Sequence, residues 1–292
     1  LTRRDPAACC ASIMTLADER EATNPAAKQV LAILDAGTYT ATSGAEVSIA
    51  DLQARAEAET RLYLPEELAT LRAETKGDGI PAVEVMAGTT QAAAKRWADE
   101  DAVVLNFASA RNPGGGFLGG AKAQEEELCR CSGLYRALLT QPGYYEHHRR
   151  ERTLLYSDRL IHSPGVPFFR LGAREPFLET PVVVGVITAP APNAGAIARN
   201  RPAEVDAIVS TFERRWANIL VVSVAHGYRT VVLGAWGCGA FRNDPEPVAQ
   251  AAKRVLETGA FRVLERVIFA IPSRGKVSRA NLEAFRTVLG SM

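Results

Sequence analysis

The sequence predicts an α/β protein, a three-layer α/β/α domain, on three observations. From Ala82 onward, strand and helix patterns alternate: residues 83–86 read as a strand, 89–98 as a helix and 102–107 as the next strand. Residues 181–187 and 230–233 are nearly continuous β-branched runs, as suits strands buried on both faces. Residues 202–227 place Val205, Ile208, Val209, Phe212, Trp216, Ile219 and Leu220 at helical intervals, so a long helix follows the first of those runs.

The other elements follow in order. Residues 6–35 start with Pro6 near a helix N-terminus and carry Ile13, Leu16, Val30, Leu31, Ile33 and Leu34 on one helical face, interrupted near Asn24-Pro25. Gly37 is a suitable stop. Ser48 heads a second helix to Glu59. Residues 1–80 therefore read as an N-terminal helical extension packed on a core domain at 81–292. Residues 128–139 have helical spacing, and 144–152, rich in tyrosine and base, read as a solvated polar loop. His147 and His148 are adjacent on the chain and so poorly placed to share one metal ion. Short strands are expected at 154–156 and 160–162, the second ending at Pro164-Gly165. Helix 247–258, strand 262–271 and helix 281–289 complete the chain. Trp216, on a helical stripe, reads as core.

Composition narrows the class of partner. Of the 292 residues, 47% are hydrophobic and 23% charged, the balance of a globular protein, and the formal net charge is only +1. No strong basic field exists to draw the chain to nucleic acid or to an anionic membrane. No apolar run reaches the roughly eighteen residues of a membrane-spanning helix, and no signal-peptide pattern stands out, so the expected location is the cytoplasm. Five cysteines (Cys9, Cys10, Cys129, Cys131, Cys238) lack the paired spacing of zinc sites and read as reduced thiols. Neither a metal nor a cofactor is expected.

Two glycine-rich turns carry the chemistry. The first, Gly114-Gly115-Gly116 after Asn112-Pro113, follows a predicted strand and precedes Gln124-Glu125-Glu126-Glu127 by seven residues. Consecutive glycines cost the most chain entropy to order, so a fold keeps them for unusual backbone angles or close approach. N–H groups on such a turn ahead of a helix suit an anion. No Gly-Lys-Ser/Thr follows, which excludes a P-loop, and the contiguous glycines fit a dinucleotide fingerprint poorly. The acidic run admits two readings: compensation of a helix dipole, or the carboxyl pair on which glycoside chemistry relies. The second turn, Gly234 to Phe241, again ends a strand and includes Gly237, Cys238, Gly239 and Ala240. Together the turns could clamp a diphosphate. Phe241 is then placed to stack on a base or ribose, or else is an aromatic that docks the next helix.

The Gly-Gly-Gly and Gln-Glu-Glu pair resembles the signature of poly(ADP-ribose) glycohydrolases. Leu105 to Ser109, Asn112-Pro113, Leu155 to Asp158, Ser163 to Arg170, and Gly234 to Phe241 are similar to the bacterial branch of that family, in the same order, over roughly residues 80–290. The resemblance implies a macrodomain with a mixed central sheet, ADP-ribose as the bound unit, and poly(ADP-ribose) or ADP-ribosylated proteins as partners. It implies that Glu126 protonates the leaving ribose oxygen and then deprotonates water, that Glu125 holds ribose hydroxyls, and that Gln124 helps to order it. Burial and the Glu125 carboxylate are expected to raise the pKa of Glu126. The diphosphate is expected on the amides of Gly114 to Gly116 and of Gly237 to Ala240, with Glu127 a bystander. The asparagine expected at the distal ribose has two candidates, Asn106 and Asn112. Three activities are compatible with the motifs: release of ADP-ribose from polymer, mainly at chain ends; removal of single ADP-ribose units from proteins; and binding without catalysis, against which the retention of both Glu125 and Glu126 argues.

Overall fold

The computed structural model describes residues 23–292, so the segment from Pro6 to Ala22 and the cysteines at 9 and 10 lie outside the described residues. A seven-stranded mixed sheet forms the middle layer. In chain order its strands are β3 (Arg61–Tyr63), β4 (Ala82–Ala87), β5 (Ala102–Phe107), β6 (Leu160–Phe168), β7 (Val182–Ala189), β8 (Thr230–Leu233) and β9 (Arg266–Ile271). Their spatial order is β3-β6-β7-β5-β8-β9-β4. Neighbours from β7 to β4 run parallel, whereas β6 is antiparallel to both β3 and β7. A separate hairpin pairs β1 (Thr38–Thr40) with β2 (Glu46–Ser48).

The helices are α1 (Pro25–Ala36), α2 (Ala50–Glu59), α3 (Pro65–Glu74), α4 (Thr90–Arg96), α5 (Gln124–Cys131), α6 (Leu134–Leu139), α7 (Pro142–Arg150), α8 (Ala194–Asn200), α9 (Ile208–Ala225), α10 (Pro245–Glu257) and α11 (Lys276–Leu289). The period-2 alternation of the strands divides the core in two. Val103, Leu105, Val231, Phe269 and their like pack against α3, α9, α10 and α11 on one face. Ala102, Val104, Val232 and Ile268 pack against α1, α2, α4, α5 and α6 on the other. Trp216 is 1% exposed and meets Trp236 edge to face, centroids 4.9 Å apart, in the first of these cores.

Local chemistry sets several boundaries. Asn24 caps α1, its Oδ1 accepting the N–H groups of Ala26 (2.9 Å) and Ala27 (3.3 Å), and Gly37 closes the helix at φ +68. The Asn24-Pro25 interruption is thus a helix start. Thr89 caps α4 through Ala92 N–H. Asp244 and Pro245 start α10 in the same way.

Four expectations require correction. Residues 142–150 form α7 rather than a solvated loop: Pro142 starts the helix, Tyr144, Tyr145 and His148 share its buried side, and Arg149 and Arg150 complement its C-terminal dipole. The expected helix 128–139 is two helices, because Ser132 is extended and bridges to Phe168. Gly133 sits so close to Gln53 that a Cβ would lie 1.6 Å from its Oε1, and its N–H donates to the Pro167 carbonyl. Residues 154–156 form no strand; Leu154 N–H turns to Glu204 and Tyr156 adopts φ +62. Finally, β6 continues through Pro164-Gly165 to Phe168, with Gly165 at φ +61 absorbing a bulge.

Two differences are smaller. Helix α9 is preceded by a 3₁₀ turn at Pro202–Ala207, which leaves Val205 exposed. Residues 61–63, read without a strand, form an edge strand of the main sheet.

Candidate active site

The parallel strands β5, β8 and β9 end on one rim of the sheet, where the N-termini of α4 and α5 also open. Such rims hold ligands in α/β folds because N–H groups converge there and the connecting loops are free to vary. A cleft of about 1220 Å³ occupies the rim, lined among others by residues 107–112, 115–116, 122–127, 235–237 and 239–241, and by Pro272, Ser278 and Asn281. Its size suits a dinucleotide-sized ligand.

Helix α5 aims four consecutive side chains in four directions. Gln124 accepts the Phe107 N–H through Oε1 (2.8 Å) and donates from Nε2 to the Leu105 carbonyl (2.7 Å) and to Thr90 Oγ1 (3.1 Å). It therefore fastens the helix to the end of β5 and orders Glu125 through the backbone, with no bond to that carboxyl. Glu125, 2% exposed, accepts Ser109 N–H (2.7 Å) and the Asn106 amide (3.1 Å). Glu126, 7% exposed, accepts Gly116 N–H at Oε1 (2.8 Å) and Ala123 N–H at Oε2 (3.0 Å). Glu127 accepts Ala173 N–H (2.8 Å) and pairs with buried Arg130 at 3.4 Å. Its expected role as bystander is corrected: it ties two loops to the helix.

The glycine triplet is explained by these carboxylates. A Cβ on Gly115 would lie 2.4 Å from Glu126 Oε1 and 3.0 Å from Glu125 Oε2, and Gly114 and Gly115 have φ +66 and +61. The expectation that these amides cradle a diphosphate is corrected as well. Gly116 N–H is engaged by Glu126 and Gly115 N–H by the Asn112 carbonyl (3.0 Å), while Gly114 N–H points to Glu125. The triplet is a mould for the two acids.

The second turn differs. Among the described residues, the N–H groups of Gly237, Gly239 and Ala240 donate to no protein acceptor, and Gly239 and Ala240 are exposed to the cleft. Cys238 is the exception, with its thiol buried and its N–H donated to the Ala235 carbonyl, so it carries the turn without facing the ligand. Asn243 holds the turn by donating to the carbonyls of Gly237 (2.9 Å) and Pro192 (2.8 Å). Phe241 packs half-buried on the core and also lines the cleft, 6.3 Å from the Tyr156 ring.

The two asparagines separate clearly. Asn106 is fully buried behind Glu125 and positions it; it does not line the cleft. Asn112 is exposed on the rim.

Electrostatics follow from burial. Loss of solvent pushes the Glu125 carboxyl up to about 8, against the pull of Ser109 N–H and the Asn106 amide, and the Glu126 charge adds to the rise. Burial lifts the carboxyl at position 125, which the sequence reading did not single out. The Glu125 carboxyl thereby favours its protonated form at neutral pH.

Several cleft residues carry no motif in the sequence. Thr90 and Gln91 arrive on α4, Pro272, Ser278 and Asn281 after β9, and Asn24 from the start of α1. Only the rule that ligands lie beyond strand C-termini could have flagged the β9 loop.

Fold and site together define a class: a macrodomain-like α/β/α protein with two buried glutamates at a helix start and free amides across a cleft. Residues 27–171 match the family described as "Microbial-type PARG, catalytic domain", PARG denoting poly(ADP-ribose) glycohydrolase. Among solved structures, the poly(ADP-ribose) glycohydrolase from Thermomonospora curvata is 43% identical, with TM-score 0.84, over 90% of this chain and 98% of that one. The same enzyme bound to the inhibitor ADP-HPD is similar at 45% identity and TM-score 0.81, over 90% and 97%. The Deinococcus radiodurans enzyme in complex with ADP-ribose is 42% identical, TM-score 0.77, over 84% and 99%. No curated protein sequence matches. The chain belongs to the microbial-type poly(ADP-ribose) glycohydrolase family.

Proposed function

We propose that the protein hydrolyses the ribose–ribose O-glycosidic bond of poly(ADP-ribose), working chiefly from chain ends and releasing ADP-ribose. One observation carries the reading: both oxygens of Glu126 are gripped by backbone N–H groups, 2.8 and 3.0 Å away, at the floor of a cleft whose far wall bears free amides. The diphosphate of the terminal unit accepts the Gly237, Gly239 and Ala240 N–H groups, which places the distal ribose against Glu125 and Glu126. Asn112 on the rim is the asparagine available to that ribose.

The reaction then divides between the two carboxyls. Glu125 binds a ribose hydroxyl, and burial favours its protonated form. Glu126 delivers the proton to the leaving ribose oxygen as the bond to the anomeric carbon breaks. The oxocarbenium-like centre is stabilised by the nearby diphosphate. Water then adds to that carbon and returns its proton to Glu126. The N–H groups on Glu126 fix its orientation to the scissile oxygen, which is the geometric demand of general acid catalysis.

The test is incubation of labelled polymer with the wild-type protein and with Glu126→Gln. Release of ADP-ribose by the first and its loss in the second, with ADP-ribose still bound, is the expected result. Polymer binding without turnover by the wild type would replace this reading with that of a reader; turnover of singly modified protein alone would make it a mono-ADP-ribosyl hydrolase.

A further inference from the structure

Past Glu126 along the start of α5, the cleft is also lined by Asn24, Gly120, Lys122, Glu127, Arg130 and the 172–175 loop, none of which belongs to the 234–241 turn; this part of the lining is here called the branch. Two exposed cations stand on it, Lys122 and Arg174, and among the described residues neither makes an ion pair or a side-chain hydrogen bond. Their placement is built. Lys122 directly precedes Ala123, whose N–H holds Glu126 Oε2 at 3.0 Å. Arg174 directly follows Ala173, whose N–H is held by Glu127 at 2.8 Å. Buried Arg130 joins the two sides, donating to the Ala121 carbonyl and to Glu127. The Arg130–Glu127 pair, buried only on its arginine side, therefore ties the loop before α5 to the 172–175 loop, and each loop presents one cation that is unpaired among the described residues. Glu175 also lines the branch, with no ion pair among the described residues, and Glu127 is matched by Arg130.

We propose that this branch is the exit path of the substrate, where Lys122 and Arg174 hold the diphosphate of the ADP-ribose unit that departs with the leaving ribose oxygen. The inference rests on the reading of the protein as a polymer hydrolase. Glu126 protonates the oxygen that belongs to the penultimate unit, so that unit must lie on the far side of Glu126 from the diphosphate turn. Its diphosphate follows within one unit and carries two negative charges. A cation pair on that side discriminates polymer from a single ADP-ribose unit on a neutral leaving group, in a chain whose net charge offers no general attraction.

The experiment compares wild type with K122A/R174A and K122E/R174E, using defined-length poly(ADP-ribose), an aryl glycoside of ADP-ribose as a substrate without a second diphosphate, and ADP-ribose as a product ligand. The alanine pair is expected to raise KM for polymer about tenfold at low salt and to flatten its salt dependence, and the glutamate pair to raise it further. Turnover at saturation, KM for the aryl glycoside and the Kd of ADP-ribose are expected to hold within twofold by the same screening argument, about the scatter of such measurements. Unchanged polymer KM overturns the exit path while leaving the hydrolase reading intact. Equal loss for polymer, aryl glycoside and ADP-ribose also overturns it, assigning the cations to the terminal unit. Failure of the wild type to release ADP-ribose from polymer is a separate result and removes the hydrolase reading itself.

Discussion

The two glycine-rich turns of this protein look alike in sequence and do opposite work. At 114–116 the glycines lie against protein: the N–H groups of Gly115 and Gly116 are engaged, and a side chain on Gly115 would strike the carboxyls of both Glu125 and Glu126. At 237–240 three N–H groups have no acceptor among the described residues, and a Cβ on Gly239 would meet nothing within 4 Å. The first loop therefore shapes the acids, and the second is open to a ligand. Glycine marks close approach in both places, but only the tertiary neighbours say to what.

The comparison can be broken most sharply at Gly115. Gly115→Ala, strained at φ +61 and in collision with Glu126, is expected to lower kcat by about two orders of magnitude or more, since misplacing a general acid by an ångström forfeits most of its contribution. ADP-ribose affinity should fall far less; an equal loss in a titration would show that the triplet binds phosphate after all. The mirror experiment is Gly239→Leu, which has room to fold. Here the expectation is an affinity for ADP-ribose about tenfold weaker, with the melting temperature retained, because the side chain covers amides that no acceptor among the described residues engages.

Asn106 sharpens the account of the acids. Its amide stabilises the charged form of Glu125, so Asn106→Ala removes a donor and should move the alkaline limb of the kcat profile upward from about pH 8. A limb that stays in place would show that Glu125 does not set it. The smallest effect expected lies far from the cleft. His162 stacks on His226 at 3.8 Å, bonds Tyr228, and faces the Arg61 charge; burial, then His226, holds its pKa down at about 3. The folded value lies below the unfolded one, roughly 6.5. The unfolded chain therefore takes up a proton that the folded one refuses, and stability is full above pH 6.5 and falls as pH drops toward 3. His162→Phe should flatten the fall of melting temperature in that window; an unchanged slope would place the acid sensitivity elsewhere, for example at His148, which burial holds at about 4.

Much was legible because it is local. The β-branched runs at 182–187 and 230–233 can only be buried strands, and Ala102–Phe107 was readable to the residue from its apolar run ending at the glycines. The acids at 125 and 126 stood out by residue type and spacing. Helix α7 was missed because its buried face is polar-tipped: Tyr144, Tyr145 and His148 look solvated in sequence, and only packing hides them.

What the sequence determined by itself was the kind of chemistry: paired carboxyls at a helix start, two sites of close backbone approach, and no general basic field. Tertiary structure alone decided which N–H groups are engaged and which are free, which acid is lifted by burial, and which cations share the cleft with it. The physical reason is that residue type sets what a group can donate, accept or ionise, whereas solvent access and partners are supplied by segments remote in the chain.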